Sequence, residues 1–202
     1  MLDLEPATSE LARLIGGIAD DQLSAPTPCA QLNLGDLLDH VDGLALAFAA
    51  AARKDREFGS QPPPPPDGAG LGPAWRERLP ARLADLAGAW SDERAWTGPT
   101  CAGGIDMDGG VTGLVALDEI VVHGWDIAVA SGQRYEVDPS LLAAVFEFVD
   151  RSVRQNPQGT PGVFDAPVPT GADASLLHQL IGRTGRDPGW TPRTRSVTGA
   201  QR

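Results

Sequence analysis

Three side chains of the types that bind transition metals lie at positions that can bring them together: His40, Glu119 and His123. Glu119 and His123 are four residues apart, so on a helix their side chains meet on one face. His40 stands just off the apolar stripe of another predicted helix and faces the interior. Two imidazoles and a carboxylate are a normal Zn²⁺ ligand set with a position left for water or substrate. The donors also suit Ni²⁺ or Fe²⁺, so the sequence predicts a divalent metal, zinc first, without fixing its identity.

Simpler explanations exist for each of these residues taken alone. A histidine at the edge of an apolar stripe is usually hydrogen-bonded in the core or exposed at the surface. A glutamate and a histidine four residues apart usually form a surface ion pair. Here, however, two of the three histidines in the chain fall on interior faces, and one has a carboxylate a turn away. An unpaired buried charge is costly, and a metal ion would supply the partner.

The predicted helix over residues 110–131 carries most of this argument, because it is apolar nearly all round and must be buried on most sides. Its one polar strip contains Glu119, His123 and Asp126. Asp126 is a candidate to orient a metal ligand or to bind a nearby backbone amide. The equal alternative for Asp126 is a solvated position on the helix surface.

Hydrophobic spacing and turn residues predict the helices that position the site. Asn33 followed by Asp36 is typical of a helix N-terminus, Gly132 is typical of a helix end, and Pro80 should kink its helix or mark its true start. Residues 62–66 are five consecutive prolines, which predict an exposed loop. The helices are expected at about 9–23, 34–54, 73–90, 110–131, 139–155 and 175–182.

Four substantial helices and shorter ones indicate an all-α bundle. The long connection between the second and third helices, and the one between the third and fourth, argue against a simple up-and-down order. Residues 91–110 are expected to form the latter connection with at most a short strand. We expect one domain over residues 1–190 and a flexible tail over residues 191–202.

The formal charge of −11 excludes an ordinary nucleic-acid partner, since such proteins need a basic surface. No apolar run is long enough for a membrane span, and the first residues do not resemble a secretion signal. We therefore expect a cytoplasmic protein in which Cys29 and Cys101 are ordinary thiols.

Three segments together resemble one known family. LDEIVVHGWDIAVASGQ is similar to the Glu-x-x-x-His-Gly-Trp-Asp segment of DinB/YfiT-like metal-binding proteins. TPCAQLNLGDLLDHVDG and GRDPGW resemble segments of the actinobacterial branch akin to mycothiol-dependent maleylpyruvate isomerase. The resemblance implies a DinB-like four-helix bundle with long connections and short extra helices. It also implies that His40, Glu119 and His123 hold the metal. One departure concerns the substrate: the family commonly has an aromatic residue after the cysteine, where this chain continues Gln31-Leu32-Asn33.

The resemblance further implies that the metal binds a small-molecule thiol, mycothiol in this branch. The first hypothesis is therefore a thiol-dependent transferase or isomerase acting on an electrophilic substrate, with Arg183 or Arg186 as candidates to meet an anionic group. The second is a non-catalytic metal-binding bundle acting as a sensor or as a partner-binding protein. The third treats the site as a relic in a structural protein. A homodimer is possible under each of them.

Overall fold

The computed structural model describes residues 1–160 and 163–192. Within these residues the chain is mostly helical, with one small sheet. The tail predicted over residues 191–202 lies outside the described residues from 193 onward, and the domain boundary at residue 190 stays a prediction. The helices, numbered in chain order, are α1 (Glu5–Gly16), α2 (Leu34–Ala52), α3 (Arg56–Gly59), α4 (Trp75–Trp90), α5 (Gly109–Ser131), α6 (Pro139–Gln155) and α7 (Leu176–Arg183).

Four of these helices form a bundle around a single core. Each one packs against two others, with α1 against α4 and α5, and α2 likewise against α4 and α5. Helix α6 packs on the outside of α5, and α7 packs on α6. The largest completely buried side chains come from all four bundle helices, and they include Leu11, Leu14, Leu37, Leu38, Leu83, Trp90 and Leu117. The predicted all-α bundle is confirmed.

Helix ends that carry a strong capping signal lie where the sequence predicts them. The Asn33 side chain accepts a hydrogen bond from the backbone N–H of Asp36, and the Asp36 carboxylate accepts one from the N–H of Asn33. Gly132 ends α5 in the left-handed conformation, with φ of 72°. Asp138 caps the start of α6, which opens at Pro139 as predicted. The Asn33 cap fixes the start of α2 and the Gly132 cap fixes the end of α5, and these two helices carry the candidate ligands.

The predicted range of α1 is wrong. Helix α1 covers Glu5–Gly16 rather than 9–23, because Pro6 occupies the first turn of the helix, where proline is tolerated. Residues 20–22 form a separate 3₁₀ turn. Helix α4 covers Trp75–Trp90, close to the predicted range of 73–90. Pro80 lies inside this helix, so of its two predicted roles it does not mark the helix start. Proline has no backbone N–H to donate, and the kink stays a prediction.

The connection over residues 91–110 is more ordered than predicted. It contains an antiparallel hairpin of β1 (Pro99–Ala102) and β2 (Ile105–Asp108). Gly103 and Gly104 make its two-residue turn, both with positive φ (59° and 81°), as a tight hairpin turn requires. β2 leads directly into α5, and the Asp108 side chain accepts a hydrogen bond from the N–H of Gly110. The hairpin thus sets the start of α5.

Among the described residues, no helix has both the length and the apolar character that crossing a membrane would require.

Candidate metal centre

The structure brings the three predicted ligands together in the bundle interior. His40 comes from α2, and Glu119 and His123 come from α5. One possible ligand atom from each residue lies within 4.8 Å of the other two. The Nε2 atom of His123 is 3.0 Å from a carboxylate oxygen of Glu119. The two imidazole rings are nearly perpendicular, with centroids 5.0 Å apart.

A tyrosine packed against α5 explains the glycine that follows His123. The Tyr135 hydroxyl donates a 2.9 Å hydrogen bond to the backbone carbonyl of Val121. A Cβ atom on Gly124 would lie 2.6 Å from that hydroxyl, which is too close for any side chain. The glycine therefore lets Tyr135 cover α5 directly beside the candidate ligands.

Behind His123 lies a second layer of buried polar groups. The other ring nitrogen of His123, Nδ1, is 3.0 Å from Oδ2 of Asp126. Asp126 has no solvent-exposed surface, so a solvated position for it is wrong. Its carboxylate accepts hydrogen bonds from Nε of Arg186 at 2.8 Å and from Nη2 of Arg186 at 2.9 Å. A continuous hydrogen-bonded chain thus runs from Glu119 through His123 and Asp126 to Arg186.

The protonation of His123 reflects its two carboxylate neighbours. Burial by itself would lower the pKa of His123, but its hydrogen bonds to Asp126 and Glu119 outweigh burial and raise the pKa to about 9. Burial would raise the pKa of Glu119, yet the hydrogen bond from His123 holds it below the usual value. Without a metal, a proton on His123 therefore sits between two carboxylates.

His40 has the opposite character. Burial, followed by the proximity of His123, lowers its pKa. A neutral imidazole keeps a free lone pair, which is the form that binds a metal. The site thus combines a neutral histidine, a carboxylate that is 75% buried (25% exposed) and a histidine whose proton a cation could replace.

The donor set fits a divalent transition metal. Two ligands of a tetrahedral zinc ion, each about 2.1 Å from it, lie roughly 3.4 Å apart. The Glu119 and His123 atoms, 3.0 Å apart, are close to that separation, and a ligand atom of His40 lies within 4.8 Å of both residues' ligand atoms. The Asp126 carboxylate at the far nitrogen of His123 is the partner that metal-binding histidines usually have.

Sequence reasoning did not single out Asp118. This aspartate precedes Glu119 and is buried, and within the described chain its Oδ1 has no hydrogen-bond partner. Burial, followed by the charge of Glu119, raises the pKa of Asp118 well above its usual value. Its position beside an apolar run could have identified it, because the helix is buried on nearly all sides.

The other residues named from the sequence are not part of the ligand group of His40, Glu119 and His123. Arg183 pairs with Asp150 of α6. His178 is exposed on α7, as expected for a surface residue. Cys101 is buried and its thiol contacts the carbonyl of Gly59. Cys29 is half-buried, and burial together with the Asp126 charge raises the pKa of its thiol.

The titration of His123 predicts a pH-dependent stability for metal-free protein. Its pKa in the folded protein, about 9, is above the unfolded value of 6.5. Its proton therefore stabilises the fold fully below pH 6.5, and this contribution is lost as the pH rises towards 9. The loss should be on the order of 3 kcal/mol in the free energy of unfolding.

Urea unfolding of chelator-treated protein between pH 6 and 9.5 measures this effect. His123→Ala should remove most of the slope. A bound metal should also remove it, because the metal takes the place of the proton. A metal-free protein equally stable at pH 6.5 and pH 9 would contradict the assignment.

Comparisons with known proteins agree with this fold. Two uncharacterised proteins from two strains of Mycobacterium tuberculosis are each 30% identical over 189 residues, covering 89% of this chain and 95% of the relative. The crystal structure of a mycothiol-dependent maleylpyruvate isomerase superposes with a TM-score of 0.63 at 18% identity, over 91% of this chain and 86% of that one. A histidine-to-alanine variant of that enzyme gives a TM-score of 0.62 at 17% identity, over 90% and 86% of the two chains.

The solved structures show the shared fold, and the sequence comparison identifies the family. The pattern of the family described as "Mycothiol maleylpyruvate isomerase N-terminal domain" matches residues 4–128, which include α1, α2, α4 and nearly all of α5. All three candidate ligands lie within this range. The resemblance predicted from the sequence is confirmed: the chain belongs to the mycothiol maleylpyruvate isomerase N-terminal domain family.

Proposed function

We propose that this protein binds one divalent metal ion through His40, Glu119 and His123 and uses it in a mycothiol-dependent transferase or isomerase reaction. The observation that carries the proposal is the convergence of the three donor groups within 4.8 Å inside the bundle. Membership of a family described by a mycothiol-dependent isomerase supports the choice of thiol. Zinc is the first choice of metal, with nickel or iron as alternatives.

A bound divalent cation would hold the sulfur of a thiol as a thiolate at neutral pH, ready to attack an electrophilic carbon. The protein's own residues prepare the site for this chemistry. His40 offers a neutral nitrogen, and Glu119 offers one negative charge. Asp126 holds His123 through Nδ1, which leaves Nε2 directed at the ligand cluster. With these three residues as ligands, a bound metal would have a coordination position available for the sulfur.

The nearby cysteine supports an external thiol as the nucleophile. Burial and the Asp126 carboxylate raise the pKa of Cys29, so its thiol stays protonated at neutral pH. In the metal-free protein this protonated thiol is a poor nucleophile. Cys29 is also not part of the ligand group, which among the described residues consists of His40, Glu119 and His123, so we assign the sulfur to a small molecule. Cys29 and Cys101 are both free thiols. The cytoplasmic location stays a prediction.

The non-catalytic hypothesis differs in one measurable respect. A metal sensor or a partner-binding bundle needs the same ligands and requires no thiol at the open position. A relic needs neither metal nor thiol. Metal content separates the relic from the other two, and thiol binding then separates the enzyme from the sensor. The electrophilic substrate and the homodimer stay predictions.

Cobalt-substituted protein tests the thiol step. Addition of mycothiol, or of a simple thiol, should produce a new sulfur-to-cobalt charge-transfer absorption that saturates with thiol concentration. The signal should weaken at acidic pH, because protons compete with the metal for the sulfur. Ultraviolet and visible absorption titration of the protein measures both effects.

The protein's own thiols are the main source of a false signal. The titration is therefore repeated with Cys29→Ser and Cys101→Ser combined, where the absorption should persist. His40→Ala should abolish it through loss of the metal. If cobalt-loaded protein binds no thiol, the thiol-dependent reaction is wrong and the sensor hypothesis replaces it.

A further inference from the structure

We infer that Arg186, which lies beyond the family-matched residues 4–128, is a positioning residue of the metal centre and acts through Asp126 and His123. The inference rests on the proposed metal site. It adds to that site a residue from the C-terminal segment, outside the range that contains all the ligands. Arg186 does not contact the ligand cluster itself.

The Arg186 side chain is only 13% exposed, and its guanidinium group binds the Asp126 carboxylate, which is completely buried. Nε contacts both Asp126 oxygens, at 2.8 and 3.0 Å, and Nη2 contacts Oδ2 at 2.9 Å. Such a two-point contact fixes the plane of a carboxylate as well as its position. A single point charge could not do this.

The orientation of Asp126 decides the orientation of His123. The oxygen that His123 Nδ1 contacts, Oδ2, is the same one that receives both nitrogens of Arg186. With the carboxylate held, Nδ1 stays hydrogen-bonded to Asp126 and Nε2 faces Glu119. A carboxylate free to rotate about its side-chain bonds would no longer define the ring angle, and metal affinity would fall.

A tight backbone turn after α7 positions the Arg186 side chain. The N–H of Arg186 donates a hydrogen bond to the carbonyl of Ile181 in α7. Gly185, immediately before it, has φ of 84°, and a Cβ atom there would lie 2.5 Å from the Cβ of Asp165. The chain thus turns back sharply after α7, a turn that only glycine makes without strain. The turn brings Arg186 to α5.

An ordinary structural ion pair would give the same contacts without affecting the metal. The chain offers a matched control in Arg183, three residues earlier, which pairs with Asp150 of α6 at 3.1 Å. Both arginines tie the C-terminal segment to the helices beneath it. Only Arg186 is connected to a candidate ligand.

The experiment measures Zn²⁺ affinity of the full chain by competition with a chromophoric chelator. Arg186→Gln should bind Zn²⁺ about 10- to 100-fold more weakly than wild type, the usual effect of losing such an outer partner. Arg186→Lys should recover part of the loss, since it restores the charge and not the fork. Arg183→Gln should bind within about twofold of wild type. The visible spectrum of the Co²⁺ form should change in Arg186→Gln and stay unchanged in Arg183→Gln.

A double variant tests whether Arg186 acts through Asp126. In an Asp126→Asn background, Arg186→Gln should cause no further loss of affinity. This neutral pair also avoids an unpaired buried carboxylate, so it answers the question if Arg186→Gln alone does not fold. Additive losses would overturn the inference, as would wild-type affinity in folded Arg186→Gln. In both cases wild-type protein still binds zinc and the proposed function stands. A wild-type protein that takes up no zinc would instead refute the proposed function.

Discussion

Replacement of His123 with alanine should lower the affinity for Zn²⁺ by about 100-fold or more. A structural zinc site contributes roughly 10–16 kcal/mol from all its ligands together, so one ligand of three or four accounts for several kcal/mol. Wild-type protein should carry close to one metal per chain after loading and desalting, and His123→Ala close to none. Elemental analysis of the desalted proteins measures the difference directly.

His178→Ala is the matched control for this experiment, because it removes an imidazole that is exposed on α7. It should retain the full metal content. Circular dichroism must show that His123→Ala is still helical, since the exchange also removes a buried partner of Glu119 and Asp126. Full metal content in a folded His123→Ala variant would eliminate the candidate metal centre.

Removal of the Asp126 carboxylate should lower the free energy of unfolding more than removal of the Asp150 carboxylate. Asp126→Ala leaves the guanidinium of Arg186, which is only 13% exposed, without its partner. Breaking a buried ion pair on one side typically costs about 3–5 kcal/mol in the free energy of unfolding. Urea unfolding at pH 7 of metal-free protein isolates this effect from any loss of metal.

Asp150→Ala serves as the control, because Asp150 also pairs with arginine, in its case with Arg154 and Arg183. Its partners Arg154 and Arg183 are 78% and 42% exposed, so water can solvate them once the carboxylate is gone. This variant should lose at most about 1 kcal/mol. Equal losses for the two variants would show that the pair of Asp126 and Arg186 is no more deeply buried in solution than an ordinary surface pair.

The sequence predicts most accurately those elements whose signals are local. Asn33 predicts where α2 begins and Gly132 predicts where α5 ends, and the structure confirms both positions. Helix α1 was misplaced because apolar spacing alone says where a stripe lies and not where the backbone hydrogen bonds stop. The hairpin of β1 and β2 went unrecognised although Gly103-Gly104 is a typical tight turn, because its flanking strands have only four residues each.

The features of the candidate site that are local in sequence could likewise be predicted, and the contact between distant residues could not. The pairing of Glu119 with His123 follows from helix geometry, and the interior position of His40 follows from its place beside an apolar stripe. The partner of Asp126 could not be predicted, because Arg186 is 60 residues distant in sequence. No pattern within one helix reports such a contact. Sequence reasoning considered Arg186 for an anionic substrate, whereas the structure directs two of its nitrogens to Asp126.

The separation of Arg186 from the ligands in sequence has a consequence for biosynthesis. During translation at about 5–20 residues per second, His40, Glu119 and His123 are made several seconds before the arginine. If the metal centre forms as proposed, a nascent chain can capture an ion early and hold it loosely, open to exchange with cellular chelators. Docking of the segment that carries Arg186 on Asp126 would then slow that exchange. Chains cut short before this segment would lose the metal more readily.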